Sequence, residues 1–276
     1  MVRGLYTSAS GALVAESMAD NVASNLANVN TSGFKQTLLQ IESTPSLDIY
    51  RIQTDPGKTA GNPLPGRPVS QEVGLLGTGV QVYDTPTSFD QGGLQNTGNP
   101  LDVAISNDSN AFFTIQTQNG VRYTRDGSFS LDGQGFLRTR DGNAVLNTLG
   151  QPIQVPTTGG TLTIQADGTI YQSSQSATAG SVATNLGQIQ VTQFANLVNL
   201  RPEGSNNFAI SGNAQPTPAT GATMQQGYLE SSNANVVKSM VDLITAERWF
   251  DANEKSVKTQ DDATNSAISM VGRTSQ

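Results

Sequence analysis

Neither cysteine nor histidine occurs in the 276 residues of this chain. Without cysteine there are no disulfides, no thiolate nucleophile and no sulfur-ligated metal. Without histidine the usual general base near neutral pH and the commonest imidazole ligand are missing too. Most hydrolase and metalloenzyme chemistries fall with them, and no catalytic group, cofactor or metal is expected. Charge is also scarce. Asp, Glu, Lys and Arg make up 13% of the chain, about half of the roughly one quarter usual in soluble domains. Ser, Thr, Asn and Gln fill the gap, and such neutral surface costs less to desolvate than charged surface, as suits a body pressed against other protein. The net charge of −7, with no run of Lys or Arg, argues against nucleic acid or an anionic membrane surface as partner. No stretch approaches the roughly 20 apolar residues that span a bilayer. The N-terminus lacks the continuous apolar run of a cleaved signal peptide and reads as an amphipathic helix, so departure from the cytoplasm would need a dedicated exporter.

What the chain does have is periodicity at both ends. Leu5, Ala9, Ala12, Ala19, Ala23 and Leu26 recur at helical spacing, while Leu13, Met18, Val22 and Val29 lie on other faces. The helix is therefore apolar over more of its circumference than one core contact requires, and it expects more than one neighbour. It runs into an Asn-rich turn where Asn28, Asn30 and Gly33 tolerate left-handed backbone, Gly33 is placed to close the helix and Phe34 folds back apolar. At the other end Val236, Met240, Leu243, Glu247, Phe250, Glu254, Val257, Asp261, Thr264, Ile268 and Val271 follow four-three steps and predict one long helix. Its acidic interruptions make it a poor self-contained coiled coil and suit packing inside a larger assembly. The candidate assembly residues are Leu5, Leu13, Leu26, Asn28, Asn30, Gly33, Phe34, Val236, Met240, Leu243, Phe250 and Val257.

Between the ends the pattern changes. Residues 36–79 carry Pro45, Pro56, Pro63, Pro65 and Pro68, which favour an extended connector. From 80 to 210 short alternating runs are divided by Asn119-Gly120, Asp126-Gly127, Asp132-Gly133, Asp141-Gly142 and Asp167-Gly168, the marks of a β-rich body. Asn119-Gly120 is expected to supply both positive-φ positions of a hairpin between 111–118 and 121–124. The Ser/Ala/Thr/Gly stretch from Ser173 to Ala183 reads as a surface loop. The expected fold is α+β and mainly β: residues 1–35 and 230–276 form a terminal helical assembly domain, 36–79 and 211–229 are extended connectors, and 80–210 is the body.

The chemistry-like motifs have plainer readings. Asp-Gly is the favoured hairpin turn and no calcium-loop spacing accompanies it. Gly74-Leu-Leu-Gly-Thr-Gly79 lacks the following Lys-Ser/Thr of a phosphate cradle. Trp249-Phe250 sits on the helical repeat, where packing outweighs ligand stacking. An enzyme working through Asp126, Asp132 or Asp141 and a secreted binding module built on residues 80–215 are the competing function classes.

Three stretches go further. Near the N-terminus stand Leu5-Tyr-Thr-Ser-Ala-Ser-Gly11 and Ser24-Asn-Leu-Ala-Asn-Val-Asn-Thr-Ser-Gly-Phe-Lys35. The body carries Gly77-Thr-Gly-Val-Gln-Val82, Phe89-Asp-Gln-Gly-Gly-Leu-Gln-Asn-Thr-Gly-Asn-Pro-Leu-Asp-Val-Ala-Ile105 and Tyr123-Thr-Arg-Asp-Gly-Ser-Phe129. Gln226-Gly-Tyr-Leu-Glu-Ser-Ser-Asn-Ala-Asn-Val-Val237 leads into the last helix. Together they resemble the flagellar axial family of bacteria, the rod and hook proteins, and most closely its rod members. The pattern departs from the family at Trp249-Phe250, in the tail from Lys258 to Gln276 and in the stretch from Pro56 to Pro68. The resemblance implies a basal-body subunit whose terminal helices build the inner tube of a torque-transmitting axis and whose β domain lies outside it. It also implies partners: other copies of the chain, neighbouring rod and hook proteins and the flagellar export apparatus, with export that needs no cleaved signal peptide. A hook or hook-junction subunit is the alternative within the same family.

Overall fold

The computed structural model of the chain describes residues 2–53, 69–156, 160–176, 180–212 and 215–273; the proline-rich stretch from Pro56 to Pro68 lies outside them. The chain divides into two compact units, one of Met1–Ala23, Leu39–Thr85 and Met240–Gln276, the other of Ser24–Leu38 and Pro86–Ser239.

The first unit holds most of both long helices. α1 (Val2–Ala27) has no proline, and Gly4 and Gly11 are its two glycines. Three strands follow in the segment expected as connector, β1 (Gln40–Ser43), β2 (Leu47–Gln53) and β3 (Val69–Leu76), and β4 (Val80–Asp84) opens the segment expected as body. β1 pairs antiparallel with β4, setting Ile41 opposite Val82. β2 pairs antiparallel with β3, from Leu47 opposite Leu76 to Gln53 opposite Val69. α2 (Val236–Arg273) is a single helix of 38 residues that starts where the apolar periodicity starts.

The second unit is the β body. Its strands are β5 (Leu94–Asn96), β6 (Val103–Ser106), β7 (Ala111–Thr117), β8 (Gly120–Thr124), β9 (Phe129–Leu131), β10 (Leu137–Thr139), β11 (Ala144–Val145), β12 (Thr161–Ile164), β13 (Thr169–Ser176), β14 (Gly180–Gln188), β15 (Val191–Gln193), β16 (Leu200–Gly204), β17 (Asn207–Ile210), β18 (Thr217–Pro218), β19 (Thr223–Gln226) and β20 (Tyr228–Glu230). The largest sheet runs β16-β17-β8-β7-β11-β10-β9, and β15 joins β7 to β18. β7 is the central strand: Ala111, Phe112, Phe113 and Ile115 are all fully buried. Because side chains alternate along a strand, it feeds two cores. Phe113 and Ile115 join Val103, Ile105, Leu137, Val145, Ile153 and Ile170 on one face. Phe112 joins Phe89, Tyr123, Phe194, Leu200 and Phe208 on the other. In that second cluster the rings meet edge-on or tilted, with Phe112 5.7 Å from Phe89, 5.9 Å from Phe194 and 5.8 Å from Phe208, the geometry that the aromatic quadrupole prefers.

Two local expectations are corrected. Within the stretch expected as a loop, residues 173–176 and 180–183 are strand: they belong to the antiparallel pair β13–β14, in register from Thr169 opposite Gln188 to Ser176 opposite Gly180. The sequence of that stretch, nearly all Ser, Gln, Ala, Thr and Gly, carries no apolar alternation that would mark a strand. The β7–β8 hairpin is present, but Thr117 pairs with Gly120, so the turn is centred on Gln118-Asn119 and Gly120 alone takes positive φ, at 103°. Thr117 accepts the Asn119 amide on Oγ1 and donates the same hydroxyl to the Gly120 carbonyl, which draws the turn one residue toward the N-terminus.

Candidate assembly surface

In the first unit α1 and α2 run antiparallel and meet along small side chains. The Ser8 and Ser256 hydroxyls are 3.0 Å apart. A Cβ built on Gly4 would stand 2.5 Å from Gln260 Nε2, and one on Gly11 2.8 Å from Asn253 Oδ1. Ala15 and Ala246 are buried. Gly4, Ser8, Gly11 and Ala15 follow four-three-four steps, and Ala246, Asn253 and Gln260 follow sevens, so one narrow seam runs along both helices. A neighbouring face of α1 meets the strand segment, where Ser10 Oγ accepts the Val80 amide at 3.3 Å.

Most of the large apolar side chains of these helices lie elsewhere. Tyr6 (67% exposed) and Leu13 (64%) face outward on α1. On α2, Met240, Val241, Ile244, Trp249, Phe250, Ile268 and Met270 are between 39% and 70% exposed. Of the residues singled out from the sequence, Leu5, Leu243 and Val257 are half-buried and Leu13, Met240 and Phe250 exposed. The helix pair is thus closed by glycine, serine, alanine and amide side chains, while Tyr6, Leu13, Met240, Trp249, Phe250 and Met270 face solvent. Scattered exposed apolar residues are ordinary, but so many on two neighbouring helices make these faces a candidate interaction surface.

The second unit holds the Asn-rich turn. α1 ends at Ala27, and Asn28 braces the exit: its Nδ2 donates to the Ser24 carbonyl at 2.9 Å, and its Oδ1 accepts the Thr31 hydroxyl at 3.3 Å. Asn30 is exposed, Leu26 and Phe34 are half-buried, and Val236 is exposed at the start of α2. Gly33 comes six residues after Ala27 and serves a different end from capping the helix. Its φ is 67°, its amide donates to the Glu230 carbonyl at 2.8 Å, and a Cβ there would lie 2.4 Å from the Asp126 nitrogen. Ser32 donates to Asp126 Oδ1 at 2.7 Å and accepts on its carbonyl from Asn206 at 2.9 Å. The turn is packed directly onto backbone of the body.

Under it lies a buried ion triad. Lys35 Nζ is 2.6 Å from Glu230 Oε1, and Arg125 Nη1 is 3.2 Å from Glu230 Oε2; all three side chains are at most 1% exposed. Lys35 also donates to the Asp90 carbonyl at 2.7 Å, and the Gly92 amide donates to Glu230 Oε1 at 2.9 Å. Arg125 lies over the Phe112 ring, 5.1 Å from its centre, and donates to the Asp108 carbonyl. Burial lowers the pKa of both Lys35 and Arg125, against the opposing pull of Glu230. Asn233, three residues past Glu230, accepts the Gln36 amide at 2.7 Å and donates to the carbonyls of Ser88 and Asp90 at 2.9 and 3.1 Å. Hydrophobic periodicity points to none of Lys35, Arg125, Glu230 or Asn233. The one available signal was position, since Lys35 and Glu230 end or occupy the quoted terminal motifs. Among the described residues no cluster of acidic side chains is fit to hold a metal ion, and no helix is long and apolar enough to cross a membrane.

Comparison with known proteins decides what this arrangement belongs to. Residues 5–35 match the family described as flagella basal body rod protein. Residues 104–172 match the flagellar hook protein FlgE/F/G D1 domain, and residues 225–270 the flagellar basal body rod FlgEFG protein C-terminal family. The flagellar basal-body rod protein FlgG of Bacillus subtilis is 35% identical over 269 residues, covering 95% of this chain and 96% of its own length. FlgG of Borreliella burgdorferi is 34% identical with the same coverage. FlgF of Caulobacter vibrioides is 30% identical over 273 residues, 99% of each chain. The chain belongs to the flagellar basal-body rod protein family. As a member of that family it is a non-enzymatic structural protein of the flagellar basal body. In this rod protein the N-terminal match covers Ser8, Gly11 and Ala15 of the small-residue seam and the whole Asn-rich turn, and the C-terminal match begins just ahead of Glu230.

Proposed function

We propose that this rod protein polymerises with copies of itself and with neighbouring rod and hook proteins through the outward faces of α1 and α2, forming the axial shaft that transmits torque to the hook. The observation that carries the reading is the division of labour on the helices: small residues close the pair within one chain, and Tyr6, Leu13, Met240, Val241, Ile244 and Phe250 remain exposed. Burying an exposed large apolar side chain stabilises by about 1.5–3 kcal/mol, so several such contacts per subunit hold a shaft together by summation. Under this reading residues 1–35 and 230–276 are the assembly part, 80–210 is the body, and Leu5, Leu26, Leu243, Val257 and Val236 extend the contact surface. Delivery is by the flagellar export apparatus without a cleaved signal peptide. Cleavage in the first turns would remove Gly4 and Ser8 from the seam, which supports that route.

The test is complementation with the full-length chain carrying Leu13→Asp, Met240→Asp and Ile244→Asp. The expected protein keeps its helical circular dichroism as a monomer and leaves the cell, yet basal bodies seen by electron microscopy stop short and motility is absent. Normal swimming with all three carboxylates in place would refute the assignment of these faces.

A further inference from the structure

Among the described residues the triad is the one buried cluster of ion-paired side chains, and the assembly faces do not use it. Its members come from three separated stretches. Lys35 closes the turn after α1, Arg125 follows β8 and Glu230 ends β20, shortly before α2; Lys35 and Glu230 are 195 residues apart in the chain. Two cations and one carboxylate are enclosed together, and Arg125 Nε has no hydrogen-bond partner among the described residues. A buried ion pair contributes little net stability over apolar residues of similar shape, but removing one partner leaves the other charged and dry, which costs a great deal. The triad is therefore poor as glue and sharp as a condition. The surrounding bonds repeat the pattern. The Gly33 amide needs the Glu230 carbonyl, the Gln36 amide needs the Asn233 side chain, and the Gly92 amide needs Glu230 Oε1. Every one of these joins the stretch 33–36 or 90–92 to the stretch 230–233.

We infer that Lys35, Arg125 and Glu230 form a latch that makes docking of the segment after α1 and docking of the segment before α2 mutually dependent, so that the roots of both helices are fixed on the body together or not at all. A chain with only its N-terminal turn in place has Lys35 and Arg125 facing each other without the carboxylate that bridges them. A chain with only its C-terminal strand in place has Glu230 short of one cation. Neither half-docked state is favourable. The inference rests on geometry within the body and stands whether or not the helices contact neighbours as proposed above.

The experiment is native-state hydrogen exchange on the full-length monomer, comparing wild type with Glu230→Gln, Lys35→Met and the pair combined. Glu230→Gln is expected to speed exchange at the Gly33 and Gln36 amides by about tenfold or more, the loss expected for a charge-assisted hydrogen bond. Lys35→Met is expected to speed exchange at the Ser231 amide, which donates to the Gly93 carbonyl, although residue 35 does not touch it in sequence or in that bond. Coupling between two sites is reciprocal, so the two effects must be similar in size and the double variant must fall well short of their product. The amides of Phe113 and Ile115 in β7 serve as the control and should change by less than about twofold. If either single variant does not fold, Lys35→Met with Arg125→Met and Glu230→Leu restores a neutral site; that protein should fold and show the turn and strand opening independently. Protection lost only on the mutated side, or multiplicative effects in the double variant, would overturn the latch.

Discussion

Replacing Gly33 with alanine tests whether the Asn-rich turn is held on the body by direct backbone contact. The residue has φ at 67°, where a Cβ crowds the carbonyl and costs about 1–2 kcal/mol. The new methyl would also sit 2.4 Å from the Asp126 nitrogen, 2.6 Å from the Arg125 carbonyl carbon and 2.8 Å from the Asp126 Cα. All three are backbone atoms that cannot swing aside. Ordinary contact begins near 3.4 Å, so the turn must retreat by about 1 Å. That retreat stretches the Gly33-to-Glu230 hydrogen bond of 2.8 Å and the Ser32-to-Asp126 bond of 2.7 Å, each contributing about 1 kcal/mol. The expected destabilisation of the docked turn is about 3–4 kcal/mol. It is read as faster exchange at the amides of Thr31, Phe34 and Leu38, together with a lower urea midpoint for the body. Gly33→Asn separates the two causes, because asparagine tolerates left-handed backbone yet carries the same Cβ; it should recover no more than the conformational share. Gly133→Ala, with open space around it, should stay within about 0.5 kcal/mol of wild type. A Gly33→Ala protein within 1 kcal/mol of wild type, by ~fivefold in exchange, would refute the account of the close approach.

The absence of cysteine allows the helix seam to be tested by cross-linking. Ser8→Cys with Ser256→Cys, at hydroxyls now 3.0 Å apart, should oxidise to an intrachain disulfide seen as faster migration on a non-reducing gel, while Tyr6→Cys with Ser256→Cys, on the outward face, should not; equal yields from the two pairs would contradict the antiparallel seam. The turn at Asp132 supplies a pH dependence. The Arg138 side chain, donating to Oδ2 at 2.6 Å, and then the Phe136 amide hold the Asp132 carboxyl below the usual aspartate range. A depressed folded-state pKa means that the carboxylate's contribution is fully present above the unfolded value and is lost as pH falls through the folded one. The Gln134 and Phe136 amides, which donate to Asp132 Oδ1 at 2.9 and 2.8 Å, should therefore titrate in NMR spectra with a midpoint below that of a free aspartate, and Arg138→Gln should move it up; a midpoint at or above the free value would count against the pairing.

The sequence exposed those features that repeat. The long C-terminal helix begins at Val236, where its four-three apolar pattern begins, and the alternating runs around Phe112 and Phe113 become the central strand. Less visible were features whose logic is pairwise. Gly4, Ser8 and Gly11 carry almost no hydrophobic signal, because a seam of close approach selects for small size rather than for transfer free energy. The β13–β14 pair escaped because its Ser-, Gln-, Thr- and Ala-rich sequence has no apolar alternation to read. The triad escaped because its meaning lies in a contact between residues separated by most of the chain, and each member alone reads as a surface charge.

The small-residue seam has a consequence for how such a protein can change. Under the assembly proposed above, cohesion inside the chain and cohesion between chains are written in different residues, on different sides of the same two helices. On that proposal a substitution at Leu13 or Ile244, both exposed, is expected to alter the grip on a neighbour without disturbing the pairing of α1 with α2 in its own unit, and one at Ala15 or Ala246, both buried, to do the reverse. Effects at well-separated, independent sites add. The stiffness of the subunit and the strength of its joints can therefore be adjusted one at a time, like the links and the pins of a chain.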